Sequence, residues 1–362
     1  MYMECNGGIF GMENRLRITK FVRNGKYLYF LTEYVSILGR INMLDGAIDY
    51  FLDTPKKIVD KPAYYFQLFV KHEQIYIIEN SGKYIYRYDS DKKIFNEVLY
   101  DEKNTEKSET CAGVIDGEEP CWVLRDGRCI KWNVDKNTLT TEQLDLEHIA
   151  WACGDDTNLW LLNFDCDTLY HKYFKEEVLT KCADFSSVNN LLCSNTSIPV
   201  HGMCMNAGCV YIHDASRIYG FDVLRKDIKW IYESKEKDNG ARILPIADKI
   251  IILPFYGNEI KVVSIEGDLL EVHKAPINTK NNYDGYSVFG QFYVDDECIA
   301  VAAAEENKVL LFDRNKMEFK WLNITSDYNE VKKIYHEVAY MEKVLNETSE
   351  YNLNCFLEGI SN

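Results

Sequence analysis

Five polar side chains interrupt stretches that otherwise read as apolar strands: Gln67 in YYFQLFV, His148 in EHIAWAC, His201 in PVHGMCM, Arg242 in GARILPI and Gln291 in FGQFYV. A polar group in such a place costs free energy unless it is hydrogen-bonded or put to use, so these residues are the first candidates for chemistry. His148 and His201 could serve as a general base or as two metal ligands. No third ligand is spaced to join them, which favours a hydrogen-bonded pair of histidines instead. Arg242 carries the planar fork that clamps a carboxylate or a phosphate, and a structural pair with an acidic loop residue would use the same fork. Phe255-Tyr256 and the stretch NNYDGYSVF at 281–289 supply aromatics suited to stacking a sugar or gripping a peptide. Packing at a rim would account for them equally well.

Other candidates are weaker. His213 and Asp214 are adjacent in a strand pattern, so they face opposite ways, and Asp214 reads as a turn-stabilising residue. Glu118-Glu119 and Glu305-Glu306 fall in turn-like stretches and read as solvated charge. NGGIFG at 6–11 precedes a strand pattern, not a helix, and no phosphate loop or nucleophile elbow is present.

Composition narrows the classes. The chain has 362 residues, with 57 Asp and Glu against 41 Lys and Arg, a formal net charge of −16. Such a surface repels phosphate backbones, so nucleic acid is not an expected partner. The twelve cysteines form no CxxC pair and no zinc-type spacing with histidine. Several sit inside apolar strand patterns, as in Cys121-Trp122-Val123, which suits buried free thiols in a reducing compartment. The N-terminal stretch has no basic region followed by an apolar one, and no apolar run has the length of a membrane span. A cytoplasmic protein without a membrane partner is expected, and nothing in the spacing calls for a metal or another cofactor.

The elements that must position these residues come from a repeat. SGKYIYRYDSDKKIFNEV at 81–98 and SRIYGFDVLRKDIKWIY at 216–232 share one pattern: alternating aromatics, an aromatic–Asp pair, a charged bend and a second alternating run. Seven such hairpins start near residues 37, 84, 129, 169, 217, 260 and 309. Each follows a further apolar strand, such as KYLYFLT, QIYIIEN or KIIILPF, and these recur every 38 to 51 residues. A fourth strand precedes each of those, and FVRNGKYLYF at 21 matches FVKHEQIYII at 69 in character throughout. Four short strands per unit, repeated at this interval, predict an all-β fold, a seven-bladed β-propeller of four-stranded antiparallel blades over residues 16–323. Merging or splitting one unit would give six or eight blades. Inner strands are expected near 16–22, 63–70, 109–115, 147–153, 198–205, 241–247 and 287–294. Residues 1–15 form an N-terminal segment. From 324 the pattern turns helical, with Leu353, Phe356, Leu357 and Ile360 on one face, and this tail is expected to dock on the propeller or on a partner.

The hairpins with their aromatic–Asp pairs resemble blades of kelch-like, YVTN-like and PQQ-type propellers. The paired kelch glycines, the GH…WD signature, the Asp-box and the recurrent PQQ tryptophan motif are absent, so no family's functional residues carry over. In a propeller the inner strands converge on a channel, and its mouth is the expected site. His148, His201, Arg242, Gln67, Gln291 and Tyr256 are the candidate binding residues. The expected function is non-catalytic binding or scaffolding toward a protein, a peptide or a glycan. The alternative is a lyase or hydrolase built on His148, His201 and Arg242.

Overall fold

The computed structural model describes residues 18–32, 37–55, 65–101, 110–186, 200, 202–214, 217–234, 242–254, 257–277, 289–303 and 306–325. They form seven four-stranded antiparallel sheets, each made of four strands consecutive in sequence. Blade 1 comprises β1 (Ile18–Asn24), β2 (Tyr27–Thr32), β3 (Ile37–Asn42) and β4 (Ile48–Asp53). Blade 2 comprises β5 (Phe66–Lys71), β6 (Gln74–Glu79), β7 (Tyr84–Asp89) and β8 (Ile94–Tyr100). Blade 3 has β9 (Cys111–Ile115), β10 (Cys121–Leu124), β11 (Arg128–Asn133) and β12 (Thr138–Gln143). Blade 4 has β13 (Ile149–Gly154), β14 (Asn158–Asn163), β15 (Thr168–Tyr173) and β16 (Thr180–Asp184). In blade 5 are β17 (Gly202–Asn206), β18 (Cys209–His213), β19 (Arg217–Asp222) and β20 (Asp227–Glu233). In blade 6 are β21 (Arg242–Ile246), β22 (Lys249–Leu253), β23 (Glu259–Ser264) and β24 (Leu269–Lys274). Blade 7 holds β25 (Phe289–Val294), β26 (Cys298–Ala303), β27 (Lys308–Asp313) and β28 (Glu318–Asn323). The fold is the expected seven-bladed propeller.

The shared hairpin pattern has a physical cause. Tyr88, Phe221 and Phe312 are the last residues but one of the third strands of their blades and are buried. The next residue turns the chain: Asp89, Asp222 and Asp313 each accept backbone N–H bonds from the residues two and three positions on. The turn then closes through a left-handed residue, Lys93, Lys226 or Met317, at φ 54°, 55° and 57°. The aromatic anchors the hairpin and the carboxylate satisfies the amides of its bend.

A four-stranded blade has two apolar faces, and one apolar cluster fills the gap between each pair of neighbours. Leu31 and Tyr50 of blade 1 meet Phe66 and Tyr88 of blade 2. Trp160 of blade 4 meets Phe221 of blade 5, with ring centroids 5.8 Å apart. Fully buried side chains as large as Trp122, Trp132 and Trp160 explain the aromatic-rich composition. The second strands are buried on both faces, as in Cys121–Leu124 and Cys298–Ala303, which is why they read as continuous apolar runs.

Among the described residues, no strand is shared across the seam where blade 7 meets blade 1. The ring closes by side-chain packing of Leu28, Phe30 and Ile41 against Ala300, Leu311 and Leu322. Arg23 adds ion pairs to Asp295 and Glu297 at 3.2 and 2.7 Å. Thr325 pairs in parallel with Ala47, and Gly46 (φ 80°) must be glycine, because a Cβ there would drive into the Asn323 carbonyl. Ile324 is buried in the same cluster, and the expected helical tail lies outside the described residues from 326 on. The N-terminal segment lies outside them too.

Candidate functional site

Within each blade the strands alternate in direction, so all seven inner strands begin at the same end of the ring, here called the upper end. Every connection between blades, and every turn from second to third strand, belongs to that end. The turns from first to second strand lie at the lower end. The seven inner strands, β1, β5, β9, β13, β17, β21 and β25, line the axis.

The two ends are built differently. At the lower end the turns are tied to one another around the ring. Asn24 donates to the Glu73 carbonyl (2.8 Å), and Lys71 pairs with Asp116 (2.6 Å) and donates to the Gly117 carbonyl. Asp156 accepts from the Glu118 amide (2.7 Å), and Asn206 donates to the Ala247 carbonyl (3.2 Å). Tyr293 reaches this end, where burial, then Asp295 and Asp116, push its hydroxyl well above the ordinary tyrosine range.

At the upper end the candidates divide. Arg242 opens β21, on the strand face it shares with Leu244 and Ile246 of the blade 6–7 core. Its guanidinium lies 5.9 Å from the centre of the Phe292 ring, and burial lowers its pKa. His148 stands just before β13 in a left-handed conformation (φ 58°), exposed beside the exposed ring of Phe164 at 6.5 Å between centroids. Gln67 is placed in the wall instead: it is 2% exposed and donates to the Asn80 side chain at 2.7 Å, while the Asn80 carbonyl takes the Trp122 indole N–H. Gln291 lies on β25, inside a register shift between Phe289 and Phe292. His201 and Tyr256, with Phe255 and the stretch 281–288, lie outside the described residues. Phe289 takes the packing reading of the two open to it. Its ring is not a surface platform but is fully buried between blades 6 and 7, tilted against Trp321 at 6.2 Å.

His213 is buried in the wall, its Nδ1 3.3 Å from the Asp214 carbonyl, and a Cβ at Gly202 would collide with its ring. Asp214 accepts from the Arg217 amide at 2.6 Å and pairs with its guanidinium at 3.1 Å. It is the turn-stabilising residue that its position suggested.

Two residues that the sequence reading passed over belong to the site. Lys20, third residue of β1, shares a strand face with Val22 of the blade 1–2 core. It retains accessible surface while protein encloses it, the condition of a side chain in the wall of an internal channel. Burial moves its pKa below the ordinary lysine range, the Arg242 charge adds to that, and the Cys111 thiol opposes it. Cys111, the first residue of β9, has its own pKa raised by burial. Lys20 of blade 1 and Cys111 of blade 3 thus act on one another electrostatically, and the charge of Arg242 from blade 6 acts on Lys20. The available signal was a lysine at the same strand depth as the other polar candidates.

Charge is segregated along the axis. The seven inner strands contain no Asp or Glu, and their basic residues are Lys20, Arg23, Lys71 and Arg242. The lower two, Arg23 and Lys71, have carboxylate partners from neighbouring turns. Among the described residues none pairs with Lys20, and no group of three or more His, Cys, Asp or Glu is placed to hold a metal.

No family model and no curated protein matches the chain. Solved structures match in fold. The computationally designed protein Ika8 aligns over 86% of this chain and 88% of its own, with TM-score 0.55 and 11% identity. A streptogramin B lyase covers 80% of this chain and 91% of its own, with TM-score 0.55 and 13% identity. Hsv2 of Kluyveromyces lactis covers 86% and 100%, with TM-score 0.52 and 10% identity. At these identities the likeness is one of architecture, a ring of four-stranded blades, and it ends there.

Proposed function

We propose that this chain is a non-catalytic binding propeller that receives a protein or peptide partner at the upper mouth of its channel. The observation that carries this reading is the asymmetry between the two ends. Lower turns are tight and bonded to one another, whereas all the connections between blades, including 185–201 and 275–288, leave and re-enter at the upper end. Long connections set on a rigid scaffold are where proteins place recognition. Exposed His148 and Phe164 add an imidazole and an aromatic face to that surface. The alternative of a lyase or hydrolase on His148, His201 and Arg242 finds less support, because His148 lies exposed beside Phe164 whereas Arg242 lies against Phe292 at the wall. The nine free thiols among the described residues support a reducing, cytoplasmic setting.

The test is site-specific photo-crosslinking in native lysate. A crosslinker at His148 on the upper face is expected to capture a defined partner, and one at exposed Asp296 in a lower turn is not. Capture from position 296 alone would overturn the reading.

A further inference from the structure

We propose that the outer edge of blade 6 is a self-association surface, on which β24 (Leu269–Lys274) pairs antiparallel with β24 of a second copy of this chain, Val272 opposite Val272. The surface lies on the rim of the ring, apart from the upper mouth, and does not depend on the binding face there.

Every blade ends in an outer strand, and proteins usually blunt such edges with polar side chains. Among the seven, β24 is the exception: Leu269, Leu270 and Val272 are 51, 46 and 45% exposed. Of the other outer strands, β4, β12, β16 and β28 expose no large apolar side chain. In β8 only the end residues Ile94 and Tyr100 are so exposed, and in β20 only Trp230, whose ring stands edge-on to Tyr219 at 5.2 Å. Among the described residues no strand pairs with the far edge of β24. An apolar strand left open at its edge is a template for a further strand.

The register that this edge permits identifies the occupant. Ala275 donates to the Asn258 carbonyl at 2.7 Å. By the alternation of an antiparallel ladder, Glu271 and His273 then direct their amides and carbonyls at β23, and Val272 and Lys274 direct theirs outward. A register shift at Leu270 ends the regular edge on one side, and Pro276, which has no N–H, ends it on the other. Outward groups must meet outward groups, and charge selects among the few registers left. Lys274 opposite Lys274 brings like charges together, and Leu270 opposite Val272 does the same by setting Glu271 against Glu271. Val272 opposite Lys274 sets an apolar side chain against a charge. Val272 opposite Val272 instead sets each Glu271 against His273 of the second copy and lays Leu270 along the stem of Lys274. His273 is held in place beforehand, its ring 4.6 Å from that of Phe319 and its Nε2 2.8 Å from Glu271. The two side chains still keep 40 and 52% exposure for contact across the axis.

An interface of one strand is small, so the dimer is expected as a concentration-dependent equilibrium and not as a permanent assembly. Sedimentation equilibrium of the full chain, followed up to about 1 mM, should show monomer passing into dimer. Val272→Lys, which sets two like charges on the axis, should weaken association on the order of tenfold or more and keep the wild-type melting temperature. Glu271→Lys should weaken it too, and Glu271→Lys combined with His273→Glu should restore it, because the exchange keeps the pair across the axis. Val272→Cys should form a disulfide-linked dimer under copper–phenanthroline oxidation that the wild type does not form, since the Cα atoms of a hydrogen-bonded pair lie about 5.5 Å apart. A chain monomeric throughout, a dimer that Val272→Lys leaves unchanged, or a charge exchange that restores nothing overturns the proposal. A monomeric chain in which Val272→Lys abolishes capture at His148 overturns it as well, and gives the edge to a different protein. A monomeric chain with that capture intact in Val272→Lys removes the dimer and leaves the binding face standing.

Discussion

Met317 and Lys226 hold φ values of 57° and 55° in the bends that end their hairpins. Side chains with a Cβ meet their own carbonyl oxygens in this region, so Lys226→Gly and Met317→Gly should each stabilise the fold by up to about 1 kcal/mol after the loss of chain entropy. Chemical denaturation measures this directly. Gly267→Ala should do the reverse, because its Cβ would strike the Ile231 carbonyl in the outer strand of the preceding blade. A second effect at this scale concerns pH. Burial, reinforced by Asp295 and other acidic neighbours, raises the Cys298 thiol to about 11, and burial raises Cys166 to about 11. A thiol raised on folding contributes stability that is present below its unfolded pKa and lost as pH climbs through the folded one. Stability should therefore fall from about pH 9 to about pH 11, and the fall should be shallower in Cys298→Ala. Equal slopes in urea unfolding of the two proteins would show that Cys298 ionises no differently in the folded state.

The hairpin is the element that repeats, and its bend is the part most legible in sequence. Asp222 takes the amides of Leu224 and Arg225 at 3.0 and 2.9 Å, a role close to that of a helix N-cap. Asp222→Ala is expected to cost about 1 kcal/mol and to speed amide exchange at Leu224 and Arg225. Unchanged exchange would mean that the flanking strands alone hold the bend. Inner strands were legible as well, since apolar alternation located all seven, although several expected starts came early, as at 198 against Gly202 and 63 against Phe66. Partnering was less legible. Gln67 reads as a lining residue, yet it is satisfied by Asn80 from the end of the next strand, a meeting set by the register of β5 on β6. Gln67→Leu should lower stability by about 1–3 kcal/mol and leave capture of a partner at His148 unchanged. An effect on binding without one on stability would return Gln67 to the channel lining.

For the whole molecule, the number of blades follows from the count of hairpins, but the closing of the ring does not. Arg23 meets Asp295 across 272 residues of chain, and only the completed circle brings them together. The same holds for the site. Lys20 and Arg23 look alike in sequence, three residues apart on one strand, and among the described residues the ring gives a carboxylate partner to Arg23 alone. Lys20 and Lys71 are likewise inner-strand lysines, one in the upper channel and one tied to Asp116 at the lower end. The central claim is tested most directly by one comparison, capture of a partner by a crosslinker at His148 and by one at exposed Asp296 in a lower turn. If the partner enters by the upper mouth, the crosslinker at His148 captures it and the one at Asp296 does not. Capture at Asp296 with none at His148 would contradict the account.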